Sequence, residues 1–583
     1  MNLGFEMTKP IIAKIPDNET ALARFEKEID SGNRELLLNY PTVYVHSFAA
    51  SQQYEVYIGE TNNIIQRTKQ HFEEQTNAGS WQARFIGKSN SYVYIIGHDH
   101  FNKSLTLDIE NRLMSYMLAA PNVVTIYNKR GNEQRKYYPE EELMPIFDSI
   151  WRGLNRLDPL LFPKRREIED SAIFKASPFH KLTAQQMEAK DHIVELIKKA
   201  LHSQAIGELV FIEGEAGTGK TVLNSNVFYE LSQLYSYGSP ITEGSHPLKC
   251  FLLVNHEQQL VVYQQIAHKL GIDRGGEVVS KPTSFINNHS ESDPVDVIFV
   301  DEGHLLWTQG KQSYRGKNQL EDLRKRAKVV VVMFDEMQTL HTQEYWSAGQ
   351  VAAMREYAKN NSYYYRLTNQ LRIRGSEETK NWILSFIHDN KVLKIPRDEN
   401  YEIRVFDSPE VLHRAIKEKA ELKEAKLSRL IATFDWEYTD KRKRDDGTDW
   451  MVTIGDWSLP WNLQLPVPRC DRGLAWAEQD HTINEVGSTF TIQGFDLNYA
   501  GVILGESITF RNGKIVIDPS KCKDKKACQN RTLEDGRKKA FAEQFVRNAL
   551  NVLMTRGVDG LYIYAVDEEL RNELKQARGN NTE

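Results

Sequence analysis

Apolar and polar residues follow two different rhythms along this chain, and the change of rhythm divides it. Between Thr42 and Asn128 the short apolar runs TVYVHSF, EVYIG, SYVYIIG and NVVTIYN alternate with stretches of helical spacing, one around Arg67 and one reading SLTLDIENRLMSYML. Runs rich in Val, Ile and Tyr predict strands and the intervening pattern predicts helices, so residues 41–130 read as a small α/β domain. After residue 180 the runs ELVFIEG, KCFLLVN, VDVIFVDEG and KVVVVMFDE are apolar at nearly every position. Such strands suit a parallel sheet buried on both faces, with helices as crossovers.

Residues 1–40 read as a polar N-terminal arm with one helical stretch, and residues 131–180 as a charged, proline-punctuated helical linker. Two parallel-sheet lobes are expected at 181–345 and 346–583, the second carrying a polar, tryptophan-rich insertion over about 376–480. The expected fold class is therefore α/β throughout.

Composition changes this picture little. A chain of 583 residues is too long for one core, and 40% hydrophobic with 26% charged residues excludes a disordered chain. The net charge of −6 leaves room for a local basic channel. Four cysteines are too few for a disulfide framework, and the longest apolar stretch, KVVVVMF, has the length of a strand and not of a membrane span. With no secretory pattern at the start, a cytoplasmic chain without membrane contact is expected.

The chemistry begins with ELVFIEGEAGTGKTVL, which holds a complete G-x-x-x-x-G-K-T between a strand and a helix. Gly214, Gly217 and Gly219 would let backbone N–H groups curl around phosphates, Lys220 would place a charge on the terminal phosphates, and Thr221 would offer a hydroxyl to Mg²⁺. VDVIFVDEG ends in Asp301 and Glu302 at the C-terminal edge of a buried strand, where ligands of doubly wound sheets bind. Asp301 would hold Mg²⁺ through water and Glu302 would activate the attacking water. ATP and Mg²⁺ are the expected cofactors.

From here the series resembles superfamily 1 helicases, most closely the Schlafen group 3-like DNA/RNA helicase domain, over roughly residues 180–570. LTAQQ at 182–186 is similar to the glutamine motif that reads adenine, implying Gln186. FDEMQ at 334–338 resembles the third helicase motif, implying Asp335 and Gln338 as γ-phosphate sensors. LTNQLRIRG at 367–375 and NVLMTRG at 551–557 resemble the fourth and sixth, implying Arg372 and Arg556 as arginine fingers. TIQGFDLNYAGVILG at 491–505 resembles the fifth, with Gln493 and Gly494 at the nucleotide. The implied fold is two RecA-like lobes whose closure couples hydrolysis to movement on nucleic acid, DNA favoured over RNA.

The small domain resembles the GIY-YIG endonucleases. TVY at 42–44 stands for the first motif, departing from Gly-Ile-Tyr at two positions but keeping Tyr44, and YIG at 57–59 is the second motif unaltered. Arg67 and His71 follow at family spacing, Glu110 lies in LDIENRLM and Asn128 ends VVTIYN. The resemblance implies Mg²⁺ on Glu110, charge neutralisation by Arg67, and Tyr44 as acceptor of the water's proton, assisted by Tyr57 or His71. The combined expectation is an ATP-dependent endonuclease of bacterial antiviral defence or DNA repair. Two alternatives stand beside it: a switch in which nucleotide restrains the nuclease, and an ATPase with an inactive GIY-YIG binding module. The basic clusters at 440–446 and 521–531, and Trp450, Trp457, Trp461 and Trp476, are candidates for nucleic-acid contact or for ordinary surface and core.

Overall fold

The computed structural model describes residues 8–74, 80–128, 140–169, 171–203, 205–234, 248–310, 314–368, 370, 372–422, 425–471, 474–492, 495–533 and 536–578. The chain forms two compact units, one of residues 1–187, 225–248 and 262–279, the other of residues 188–224, 249–261 and 280–583. None of the described helices is long and apolar enough to cross a membrane.

The first unit is built on a five-stranded sheet with the spatial order Ile11–Pro16, Ser91–Gly97, Thr42–Ala50, Gln53–Thr61, Val123–Ile126. The first four strands pair antiparallel, and the last joins Gln53–Thr61 in parallel. The segment expected as an N-terminal arm thus supplies an edge strand of this sheet. Its IIAKIP stretch is only half buried, which is why it lacks a strong apolar signature. The helix Lys103–Ala119 is buried over most of its circumference, and its weak amphipathicity follows from that central position.

The second unit holds two parallel sheets. Five strands of the first run in the order Tyr364–Leu367, Glu208–Gly214, Ala327–Phe334, Val295–Asp301, Cys250–Val254. The second runs Glu402–Val405, Gly557–Ala565, Leu497–Leu504, Arg429–Ala432, Val486–Gly487. This corrects the expected insertion over 376–480, because two strands of the second sheet lie inside it. They are four residues long and carry Glu402, Arg404 and Arg429, so their burial is hidden from a hydrophobicity reading. Arg429 is fully buried and satisfied by the Thr482 hydroxyl and the carbonyls of Lys426, Ser428 and Gln479.

What remains between Ala432 and Val486 folds onto the same core. Trp457, Trp461 and Trp476 are buried, and Trp436 and Trp450 pack against the cluster, so these tryptophans are chiefly core residues rather than an exposed stacking platform. The basic stretch at 440–446 is exposed, with Lys443 paired to Asp449 and Arg444 near Asp446.

Candidate active sites

In the first unit, strand alternation puts Tyr44 and His46 on one face of Thr42–Ala50, and register puts them opposite Gly59 and Tyr57. Gly59 is required by the site. A β-carbon there would sit 2.5 Å from Cζ of Tyr44, so only glycine lets the phenol lie across the neighbouring strand. The helix Ile64–Glu74 then presents Arg67 and His71 one turn apart. The Tyr44 hydroxyl lies 3.2 Å from Nε2 of His71 and donates to it when that nitrogen is unprotonated.

Burial pushes Tyr44 well above its ordinary pKa, the nearby Tyr57 and Glu110 add to the rise, and Arg67 opposes it. Tyr57 is raised by the same burial, with Arg67 again opposing. Both are therefore phenols at neutral pH, and the Arg67 guanidinium lies near both oxygens. Burial, helped by the charges of His46 and Arg67, pushes His71 down to about 2. Tyr44, Tyr57, Arg67, His71 and Glu110 accordingly converge, the last being partly exposed on the helix Lys103–Ala119.

Asn128 takes a different part. Its amide oxygen accepts from the Ile58 N–H at 2.8 Å and its amide nitrogen donates to the Ile58 carbonyl at 2.5 Å. Both amide atoms hold the peptide just before Gly59, which makes Asn128 a positioning residue and not one that contacts a reacting atom. Three further residues escaped the sequence reading. His46 Nδ1 lies 2.7 Å from Asp17 Oδ2 with both side chains fully buried, and Trp81 stacks on Tyr57 at 4.3 Å between centroids. His46 was legible as the same-face neighbour of Tyr44; Asp17 lies far off in sequence and leaves no such signal.

In the second unit, the loop after Glu208–Gly214 depends on its glycines. Gly217 and Gly219 have φ of +83° and +78°, and a β-carbon on Gly214 would meet the Thr218 hydroxyl at 2.5 Å. Such a cradle of backbone N–H groups at the start of the helix Lys220–Leu234 fits a triphosphate. Lys220 Nζ donates to the carbonyls of Gly214 and Glu215 at 2.6 and 2.9 Å and stands 3.5 Å from Asp335. The Thr221 hydroxyl and the buried Asp301 would offer oxygen ligands of the kind Mg²⁺ prefers.

Glu302 has φ of +51°, an uncommon conformation for a residue with a side chain, and it aims a buried carboxylate at the same region. Burial works to raise Glu302, but His304, Lys220 and Arg556 outweigh it and hold the carboxyl below its ordinary range. Gln259 lies 3.4 Å from this carboxylate and His304 3.3 Å; neither was anticipated from sequence.

The third motif is a hub. Gln338 donates to Asp335 at 2.6 Å and accepts from Arg556 at 3.2 Å, so one side chain joins the first sheet's loop to the second. Arg556 is fully buried, and burial together with the repulsion of Arg372 lowers it to about 9. Arg372 pairs with Asp496 at 2.5 Å, and its β-carbon lies against Gly217. Lys220, Glu302, Asp335, Gln338, Arg372 and Arg556 are thus gathered within one unit. Gln186 belongs to the other, where it exchanges backbone-to-side-chain bonds with Thr183 in a capping box. Gln493 and Gly494 lie outside the described residues.

A phosphate loop, an acidic pair at a strand end and a buried arginine at the start of a strand of a second parallel sheet define a helicase-like P-loop ATPase. Over residues 207–567 the chain matches the family model described as Schlafen group 3, DNA/RNA helicase domain, and it belongs to that family. The uncharacterized protein YPL245W of Saccharomyces cerevisiae is 32% identical over 428 residues, which span 67% of this chain and 90% of the yeast protein. A solved structure of Pif1 helicases unwinding forked double-stranded DNA aligns at 12% identity, covering 66% of this chain and 92% of that one, with a TM-score of 0.25.

Proposed function

We propose that the first unit is a Mg²⁺-dependent nuclease whose cutting is governed by the helicase-like ATPase of the second. The observation that carries this reading is the convergence of Tyr44, Tyr57, Arg67, His71 and Glu110 around Gly59. Glu110 would hold Mg²⁺, which would supply Lewis-acid polarisation of a phosphate and a more acidic bound water. Arg67 stabilises charge on the phosphoryl oxygens. Tyr44 accepts a hydrogen bond from the attacking water while its own hydroxyl donates to His71 Nε2, and the water's proton passes to solvent and not to the weakly basic His71. In the second unit, Lys220 and the loop amides bind the nucleotide phosphates, Glu302 orients water, and Arg372 and Arg556 meet the transferring phosphoryl. DNA is the proposed substrate ahead of RNA.

A second reading, a nucleotide-controlled switch, is favoured by one contact. The helix that starts at Lys220 carries Tyr229, whose hydroxyl donates to the Asn128 carbonyl at 3.0 Å while the Asn128 side chain grips Ile58. A change along this helix is therefore linked, through hydrogen bonds of Tyr229 and Asn128, to Ile58 beside Gly59. Plasmid cleavage in Mg²⁺, with and without ATP, tests both readings in wild type, Glu110→Ala and Lys220→Ala. Loss of cutting in Glu110→Ala with ATP-stimulated cutting in wild type supports the motor-driven nuclease; cutting suppressed by ATP supports the switch. No cutting by wild type under any condition sinks both.

A further inference from the structure

The sequence Gly97-His98-Asp99-His100-Phe101 closes the strand Ser91–Gly97 and precedes the helix Lys103–Ala119. It brings two imidazoles and a carboxylate into one small cluster. His98 is buried, and its Nε2 lies 3.0 Å from the Thr8 carbonyl; a carbonyl only accepts, so Nε2 carries the hydrogen. Nδ1 then presents a lone pair, which accepts from the His100 N–H at 3.1 Å and also stands 3.1 Å from a carboxylate oxygen of Asp99. That oxygen also accepts from the Thr8 hydroxyl, so Thr8 holds both His98 and Asp99 in place.

Nδ1 of His100 meets the Glu142 carboxylate, which belongs to the turn Glu140–Glu142 that opens the helix Leu143–Leu157. Among the described residues, one ligand atom each from His98, Asp99 and His100 lies within 4.8 Å of the others. A tetrahedral centre with bonds of about 2.0–2.2 Å needs ligand atoms roughly 3.4 Å apart, so small side-chain rotations close the set. Asp99, His100 and Glu142 are partly exposed, which gives a path from solvent.

We propose that His98, Asp99, His100 and Glu142 form a binding site for a divalent transition metal of the zinc type. Two imidazoles with two carboxylates favour Zn²⁺ and its neighbours over Mg²⁺, which takes oxygen ligands almost throughout. The metal would tie the end of Ser91–Gly97 to the start of Leu143–Leu157, with Thr8 orienting the His98 ring from behind. The site uses none of the candidate nuclease or ATPase residues and stands whether or not those activities do.

The test is Co²⁺ titration of the full chain, stripped with chelator and held in millimolar Mg²⁺, read by visible ligand-field absorption and by displacement with Zn²⁺. One Co²⁺ per chain is expected, released by one Zn²⁺, and Zn²⁺ raises the melting temperature. His100→Ala and Asp99→Asn, both at partly exposed positions, each weaken binding by at least the roughly tenfold that loss of an outer-shell partner costs, while Glu110→Gln binds as wild type. Failure to bind Co²⁺ in the presence of Mg²⁺ overturns the proposal. So does binding that survives His100→Ala unchanged, or binding lost in Glu110→Gln.

Discussion

At Gly59 a single methyl group would decide the geometry of the candidate nuclease site. Gly59→Ala places a β-carbon on the Tyr44 phenol, so the ring must leave its position over the strand. The expected result is loss of cleavage with a stability cost of about 1–3 kcal/mol, the usual range for overpacking, measured by denaturant melts alongside a cutting assay. His71 carries a separate prediction. With its folded pKa near 2, it remains neutral while an unfolded histidine takes up a proton below about 6.5, so this residue withdraws stability as pH falls below that value. Its ring resonances are expected to show no titration between pH 4 and 8, and a midpoint near 6.5 by NMR contradicts the burial described here. The YIG and TVY stretches were legible because glycine and strand aromatics are local signals. The Asn128 clamp and the Asp17–His46 pair were not, since each depends on which strands become neighbours.

Among the elements, the stretch 521–531 shows how charge in a sequence misleads. Read alone it is a basic cluster for nucleic acid, yet Arg531 is buried and donates to the Thr342 and Thr308 carbonyls at 2.7 and 3.1 Å. Thr342 in turn donates to the carbonyls of Lys526 and Gln529, which fastens this stretch to the segment following the third motif. Arg531→Ala is expected to cost about 1.5–3 kcal/mol, as for other hydrogen bonds from charged groups, and to weaken nucleic-acid binding little. His341 lies in the same clasp, between Glu344 at 3.2 Å and Asp524 at 3.3 Å. Burial opposes its charge, but these carboxylates prevail and raise it to about 10. A folded pKa above the unfolded 6.5 means stabilisation that is complete below pH 6.5 and lost as pH rises through about 10. Thermal melts of wild type are expected to decline across that window, and His341→Gln to flatten the decline. The strands Glu402–Val405 and Arg429–Ala432 illustrate the same difficulty, for polar residues satisfied inside a sheet look like loop until the tertiary partners are known.

Over the whole molecule, the ATPase half was legible because its motifs are short, ordered and tied to strand ends, where glycines and acids have few other reasons to stand. Their convergence through Gln338 and Arg556 was not legible, as it joins residues 218 positions apart. The account predicts that nucleotide hydrolysis and strand cutting have separable chemistry in one chain. Its most direct test is the initial rate of Mg²⁺-dependent cleavage of end-labelled duplex DNA by wild type and Glu110→Gln, with ATP hydrolysis followed in the same samples. Cleavage is expected to fall by about 100-fold or more in Glu110→Gln while ATP hydrolysis stays at the wild-type rate; equal cutting by the two proteins would contradict the assignment of the nuclease site.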